Sequence, residues 1–544
     1  MKKPLSLLLT IFILLGLTPV TARADVTSPP VEYIKRAWDS ENKTVVATTE
    51  TCYSYELLHS SNSSWYTVGK DGETTWYVAQ GDITMNGTTL TVRGNVNIIL
   101  CDDANVQIKD GIEVKTGYSL TIYGQSKDKG RLDSRNNDGD AGIGCGPNCG
   151  VGHITIHGGK IEAHGGKYAA GIGSGDERQM GSHITIYGGD IKAYGGDYGA
   201  GIGSGDETTG DNGYIDIYGG VVYAKGGKDG AGIGGGNEGN SRTITIWGGK
   251  VTAISGSNEA SGIGGGDDGG GGTITINGGV VYAKGTDEGP GIGGDSNCGT
   301  IVINGGEVTA ESEFGAGIGG AYNENLEKGS ITINGGEVTA KSVGKDEEYG
   351  SGGAFMGSAG IGAGGDDSVL YYGSMEIPIT INGGTVKATG TYLSAGIGSG
   401  YGGNVTGQIT ITGGYVKAVS TGTERGSGAV IGSGMEDNYG GGGEVEKKIK
   451  ISGGTVIASS ASALAIGHGT NGSDKGVELY ANAKVTAGNS SDAATLQTAD
   501  KRAYGMTRKY AKIEPCDHLN PCYSSFLPET RHSDRAGPPH RQPA

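Results

Sequence analysis

Ile184–Gly205 reads ITIYGGDIKAYGGDYGAGIGSG, and near-copies of it run from Ile154 to about Gly469. The leading Ile of each copy falls at Ile154, Ile184, Ile215, Ile244, Ile274, Ile301, Ile331, Ile379, Ile409 and Ile449. Most neighbours in that series are 27 to 31 residues apart, and self-similarity at such a period marks a solenoid. Within one copy, Ile184 and Ile186 are two apart and so share one face of a strand. Gly188-Gly189 turns the chain, Ile191-Lys192-Ala193 repeats the in-out-in pattern, and Gly195-Gly196 turns it again before Ala200–Gly203. The repeat has no apolar stripe at helical spacing. Glycine in a helix costs about 1 kcal/mol relative to alanine, and 111 glycines in 544 residues argue against helices. The expectation is an all-β chain: a single-stranded right-handed parallel β-helix whose ~30-residue glycine-rich coils have three short strands each.

Outward from the repeat, the chain divides into four parts. Residues 1–24 read as a secretory signal peptide: Lys2 and Lys3, an apolar run from Leu5 to Leu17, and Ala22-Arg23-Ala24 as a cleavage site. Residues 25–75 are aperiodic and read as an N-terminal leader or cap. Residues 76–487 read as the β-helix, beginning with less regular coils at Trp76, Leu90, Val106 and Leu120. Residues 488–544 lose the period and form a C-terminal tail. Two coils are swollen, by Lys341–Ser358 and by Met435–Lys448, and such insertions project from one face of a solenoid.

The 42 Lys and Arg stand against 59 Asp and Glu, a net charge of −17. Loss of Lys2, Lys3 and Arg23 with the signal makes it 39 against 59, or −20. That balance argues against nucleic acid as a partner. No later segment is apolar enough for membrane insertion once the signal is cleaved, so the location expected is extracellular or cell-surface. Of seven cysteines, Cys145 and Cys149 are the nearest pair within the coils. Cys516, His518 and Cys522 match no strong zinc spacing. Leu527–Thr530, LPET, is followed by Arg531 and no apolar segment, so it reads as chance rather than as a sortase signal.

Stacked coils align equivalent residues in columns about 4.8 Å apart, so ten coils make a rod of about 50 Å, suited to a long repetitive ligand. One column follows the ITI triplet: His157, Tyr187, Tyr218 and Trp247, then Asn277, Asn304, Asn334 and Asn382. The rings offer either a sugar-binding strip or a purely structural stack, and the Asn run reads as an amide ladder. In a neighbouring column Tyr223 and Tyr282 extend an aromatic face, among residues typical of a solvated strand. A third column, Asp176, Asp206, Asn237, Asp267 and Asp295, follows GIGxG, with Glu177, Glu207 and Asp268 beside it and Asp366-Asp367 further on. Carboxylates 5 Å apart repel by about 3 kcal/mol at an effective dielectric near 20. Calcium between them is one solution; loops that splay apart are the other. Catalysis has little support. The Asp doublets at 267 and 366 do not establish the facing carboxylates of a hydrolase, and Arg178 and Arg242 are the only candidate lyase bases.

The pattern ITIxGGxVxAxG…GAGIGxG, with Trp76–Val78 and Leu120–Gly124 leading in, resembles a group of secreted bacterial β-helix carbohydrate-binding proteins of pectate-lyase-like fold that includes a clostridial polygalacturonate binder. The resemblance covers Trp76 to Ala487. It implies a non-catalytic, calcium-assisted binder of acidic plant polysaccharide outside the cell. A polysaccharide lyase or hydrolase, and a structural surface protein or adhesin, are the alternatives.

Overall fold

The computed structural model describes residues 29–147, 149–176, 183–208, 213–344, 357–365, 373–391, 393–421, 428–435, 443–460, 463–469, 472–479, 483–491, 494–496 and 508–515. Every coil has the three strands that alternation predicts. In the coil of Ile184 they are His183–Ile186, Asp190–Tyr194 and Ile202–Gly203. Each pairs in parallel with its counterpart one coil on, without slippage: Ile184 faces Ile215, Ile191 faces Val222, and Ile202 faces Ile233. The chain is therefore a parallel β-helix. No helix occurs among the described residues, so none is long and apolar enough to cross a membrane.

Period-two alternation sets the core. Ile184, Ile186, Ile191, Ala193, Ala200 and Ile202 are fully buried, and their counterparts repeat this from coil to coil. Thr185 and Lys192 point outward between them. Three stacks of strands run the length of the rod, and each inward column is a ladder of like residues with little room for variation in volume.

Both ends depart from the boundaries expected. The leader expected over 25–75 is a hairpin followed by coil. The hairpin pairs β1 (Val31–Asp39) antiparallel with β2 (Thr44–Cys52). Glu56–Leu57 already pairs in parallel with Tyr77–Val78, and Tyr66–Val68 with Leu90–Val92. At the other end, Tyr510–Pro515 from the expected tail turns back as a strand. It lies antiparallel to Thr455–Ser460, the last second strand, and to Ala483–Gly488. Cys145 and Cys149 are bonded, with Cα atoms 6.0 Å apart. Cys52, Cys101 and Cys298 are buried and free, whereas Cys516, His518, Cys522 and Leu527–Thr530 lie outside the described residues.

Candidate functional site

The ring column forms, and it is longer than expected. Tyr123, His157, Tyr187, Tyr218 and Trp247 stack with centroid separations of 4.6, 5.1, 4.9 and 5.9 Å, all within 10° of parallel, and Trp76, two coils before Tyr123 and two residues off its register, lays its ring on Tyr123 at 5.5 Å. Constant register along a parallel stack leaves such rings face to face. The expectation of a strip open to a ligand is corrected, because β1 lies along it. Tyr33 packs on Trp76 and Tyr123 at 5.0 and 4.7 Å, and Trp38 packs on Tyr218 and Trp247 at 5.4 and 5.5 Å. Between them the Arg36 backbone N–H donates to His157 Nδ1 at 3.1 Å. The Arg36 guanidinium donates to the His157 carbonyl and pairs with Asp128, and Gln125 Nε2 donates to the Glu32 carbonyl at 2.9 Å. His157 is consequently only 6% exposed, and burial pulls its imidazole down to about 4.

The lengths agree. Five residues of extended chain from Tyr33 to Trp38 span about 17 Å, and the four coil steps between their contacts span about 19 Å. Past Trp247 the column changes to amides. Asn304, Asn334 and Asn382 each donate Nδ2 to the Oδ1 of the Asn one coil before, at 2.9, 2.8 and 2.8 Å, and Thr412 donates to Asn382 at 2.7 Å. The rings thus occupy the coils that the hairpin reaches, and self-satisfied amides hold the corner beyond. Trp38→Ala should weaken docking of the hairpin by about 2 kcal/mol. The readout is faster proteolysis between Asp39 and Thr44 with an unchanged melting transition of the coils.

The outer face of the second-strand stack is different. From Arg131–Arg135 to Tyr415–Ser420 its middle column reads Asp133, Glu162, Lys192, Tyr223, Thr252, Tyr282, Thr309, Thr339, Lys387 and Lys417. Apolar residues at its margin stand in water: Val221 is 49% and Val280 45% exposed. Three outward positions per coil carry ten cations, Arg131, Arg135, Lys160, Lys192, Lys225, Lys250, Lys284, Lys341, Lys387 and Lys417. They carry six acids, Asp133, Glu162, Asp190, Glu307, Glu311 and Glu337, so the face is net +4 on a chain of net −17. Four of the acids are already neutralised: Asp133 and Glu162 by Arg131 and Arg135, Glu311 by Lys341, and Glu337 by Lys387. Lys192, Lys225 and Lys250 take part in no ion pair among the described residues. Tyr194 and Tyr223 lie between them, with Tyr194 stacked on His164 at 4.6 Å. Tyr282 donates to Glu311 at 3.0 Å.

Eight stretches of the chain, 154–176, 184–206, 215–237, 244–267, 274–296, 301–322, 331–365 and 379–401, match the family model described as beta helix repeat. The chain carries β-helix repeats. No curated protein and no solved structure matches it.

The acids that close the third segment of these β-helix repeats do not form one ladder. Asp206 accepts from Asn237 Nδ2 at 2.8 Å, and Asp176 is half-buried at the end of a described stretch. Asp267 and Asp295 do converge, around a residue absent from the expected column: Glu259. Burial first, and then Asp295 and Asp267, push Glu259 up to about 9. Asp267 accepts from Asn258 Nδ2 at 3.5 Å, and burial raises it too. Asp268, noted beside the column, completes the group. Counted back from the third-strand Ile, Glu259 stands in the column of Tyr168, Tyr198, Asp229 and Glu288, and the acids at three successive places in that column, Asp229, Glu259 and Glu288, were the signal the sequence offered. Arg242, a candidate lyase base, is buried rather than available on a loop, and burial pulls it down to about 10. Arg178, Asp366 and Asp367 lie outside the described residues.

Proposed function

We propose that this chain of β-helix repeats is a non-catalytic binder of an anionic polysaccharide, which lies along the outer face of the second-strand stack. The observation that supports it best is the charge of that face: net +4, with Lys160, Lys192, Lys225, Lys250 and Lys417 in no ion pair among the described residues, on a chain of net −17. Long-range repulsion from an acidic protein disfavours an acidic polymer everywhere except where cations are concentrated. Tyr194, Tyr223 and Tyr282 add apolar ring surface with polar edges, the chemistry that suits sugar faces. The length of the face, about 4.8 Å per coil, matches a polymer better than a small molecule. Polygalacturonate is the leading ligand on charge and length, and it is met outside the cell; the apolar run Leu5–Leu17 and the Cys145–Cys149 bond fit that compartment. Lysine contacts make calcium bridging unnecessary on this face.

Pull-down on insoluble acidic and neutral polysaccharides tests this reading. The protein should be retained by polygalacturonate and released by salt. Lys192→Glu, Lys225→Glu and Lys250→Glu together should weaken retention at least about tenfold, as three surface charges are reversed. Trp247→Ala, beneath the hairpin, should leave retention unchanged. Retention by no acidic glycan, or indifference to the triple charge reversal, discards the reading. The covered rings and the satisfied Asn ladder would then favour a structural surface protein whose columns serve only stacking.

A further inference from the structure

Outside the open face, one cluster of carboxylates holds a buried oxygen that no hydrogen bond satisfies. It sits in the loops at either end of the third strand, where Glu259 precedes Ile263, Asp268 follows it, and Asp295 comes from the next coil. Glu259, Asp268 and Asp295 each present a carboxylate oxygen within 4.8 Å of the others. Asp295 is 9% exposed, and its Oδ1 is buried with no hydrogen-bond partner. A buried acceptor left unmade is costly and rare, and it points to a group that completes it.

We propose that Glu259, Asp268 and Asp295 form a divalent-cation site and that its ion is calcium. The donors are all oxygen, and calcium accepts six to eight oxygens at 2.3–2.6 Å in irregular geometry. Magnesium demands a near-octahedral set and sheds its waters reluctantly, so a loop-borne cluster of three carboxylates suits it less. Asp267, anchored by Asn258, adds a fourth negative charge beside the site. Asp268 is exposed and offers the route by which an ion enters. The only other comparable cluster among the described residues, Asp133, Glu162 and His164, already has Arg131 and Arg135 on its carboxylates and leaves no room for a cation. The proposal is independent of the glycan reading, since the ion ties two successive coils together on loops outside the second-strand face.

Calorimetric titration of the full-length chain with calcium chloride decides it. The wild type should show a saturable site at millimolar calcium or below and a calcium-dependent rise in melting temperature, with magnesium at least tenfold weaker. Asp268→Asn, at an exposed position, should lower the affinity at least tenfold. Glu259→Gln, which keeps the side chain's size and removes its charge, should remove the site and leave the far-ultraviolet circular dichroism unchanged. Absence of binding in the wild type would make a shared proton the cluster's whole chemistry and overturn the proposal. So would an isotherm that both variants reproduce.

Discussion

A single methyl group at position 234 is expected to cost the rod about 4 kcal/mol or more, at the upper end of what one substitution does. Gly234 has φ +137°, a backbone region closed to residues with a Cβ. A Cβ there would sit 1.9 Å from the carbonyl oxygen of Gly264, one coil on. That oxygen cannot move aside, because it accepts the Gly235 N–H at 2.9 Å and belongs to a strand paired on both sides. The same conformation recurs in every coil from Gly144 to Gly467, with φ between 132° and 150°. In a one-dimensional stack each coil is stabilised by its neighbours. Gly234→Ala should therefore lower the thermal midpoint and split the unfolding transition into two. Lys225→Ala, on the outer face of the same coil, should stay within about 0.5 kcal/mol of wild type. One unshifted transition in Gly234→Ala would contradict the close packing of that column.

The second large effect is release of the hairpin in acid. His157 accepts the Arg36 N–H at Nδ1, so its docked form is neutral. The docked imidazole titrates at about 4 against an ordinary 6.5, with burial as the main cause. Below pH 6.5 the released state binds a proton that the docked state refuses, so docking is complete above that pH and weakens as pH falls toward 4. A difference of 2.5 pH units corresponds to at most about 3 kcal/mol. The charged groups facing the ring divide, and burial decides the direction. Arg36 and Lys35 from the hairpin oppose a positive charge. Glu50 and Asp128 favour one, although Asp128 is already paired with Arg36, and the rings of Tyr123 and Tyr187 close the two sides. Trp38, Trp76 and Trp247 all border the strip, so tryptophan fluorescence should report release between pH 6 and 4, and His157→Phe should abolish that step. Fluorescence flat to pH 4 would count against it.

What the sequence makes legible here is whatever repeats. Ile184 and Ile186 announce a strand by spacing, and the constant interval between copies places Ile184 opposite Ile215 before any coordinates exist. The amide ladder and the ring stack follow from the same register. Two things escape such reading. Nothing within Val31–Asp39 shows that Tyr33 and Trp38 will meet rings 40 to more than 200 positions away, because that contact exists only once the coils have stacked. The loop acids are the other. A column predicts a side chain's neighbours along the rod, whereas Glu259 meets Asp295 between the loop before one third strand and the loop after the next, which are two different columns. Positive charge on the second-strand face is hidden in the same way: an overall −17 says nothing of its distribution.

The strand Tyr510–Pro515 runs against the direction of every coil it closes. A stack of parallel rungs ends in a row of unsatisfied amides and carbonyls, and a second molecule presenting its first rung there could continue the hydrogen bonding and start a fibre. Here a reversed strand separates the last coil from Ala483–Gly488, and outside that only the two-residue Thr495–Leu496 pairs, so the outermost described edge of this stack is short and broken. Loss of those six residues would bare the edge of Thr455–Ser460, a parallel rung open to head-to-tail growth.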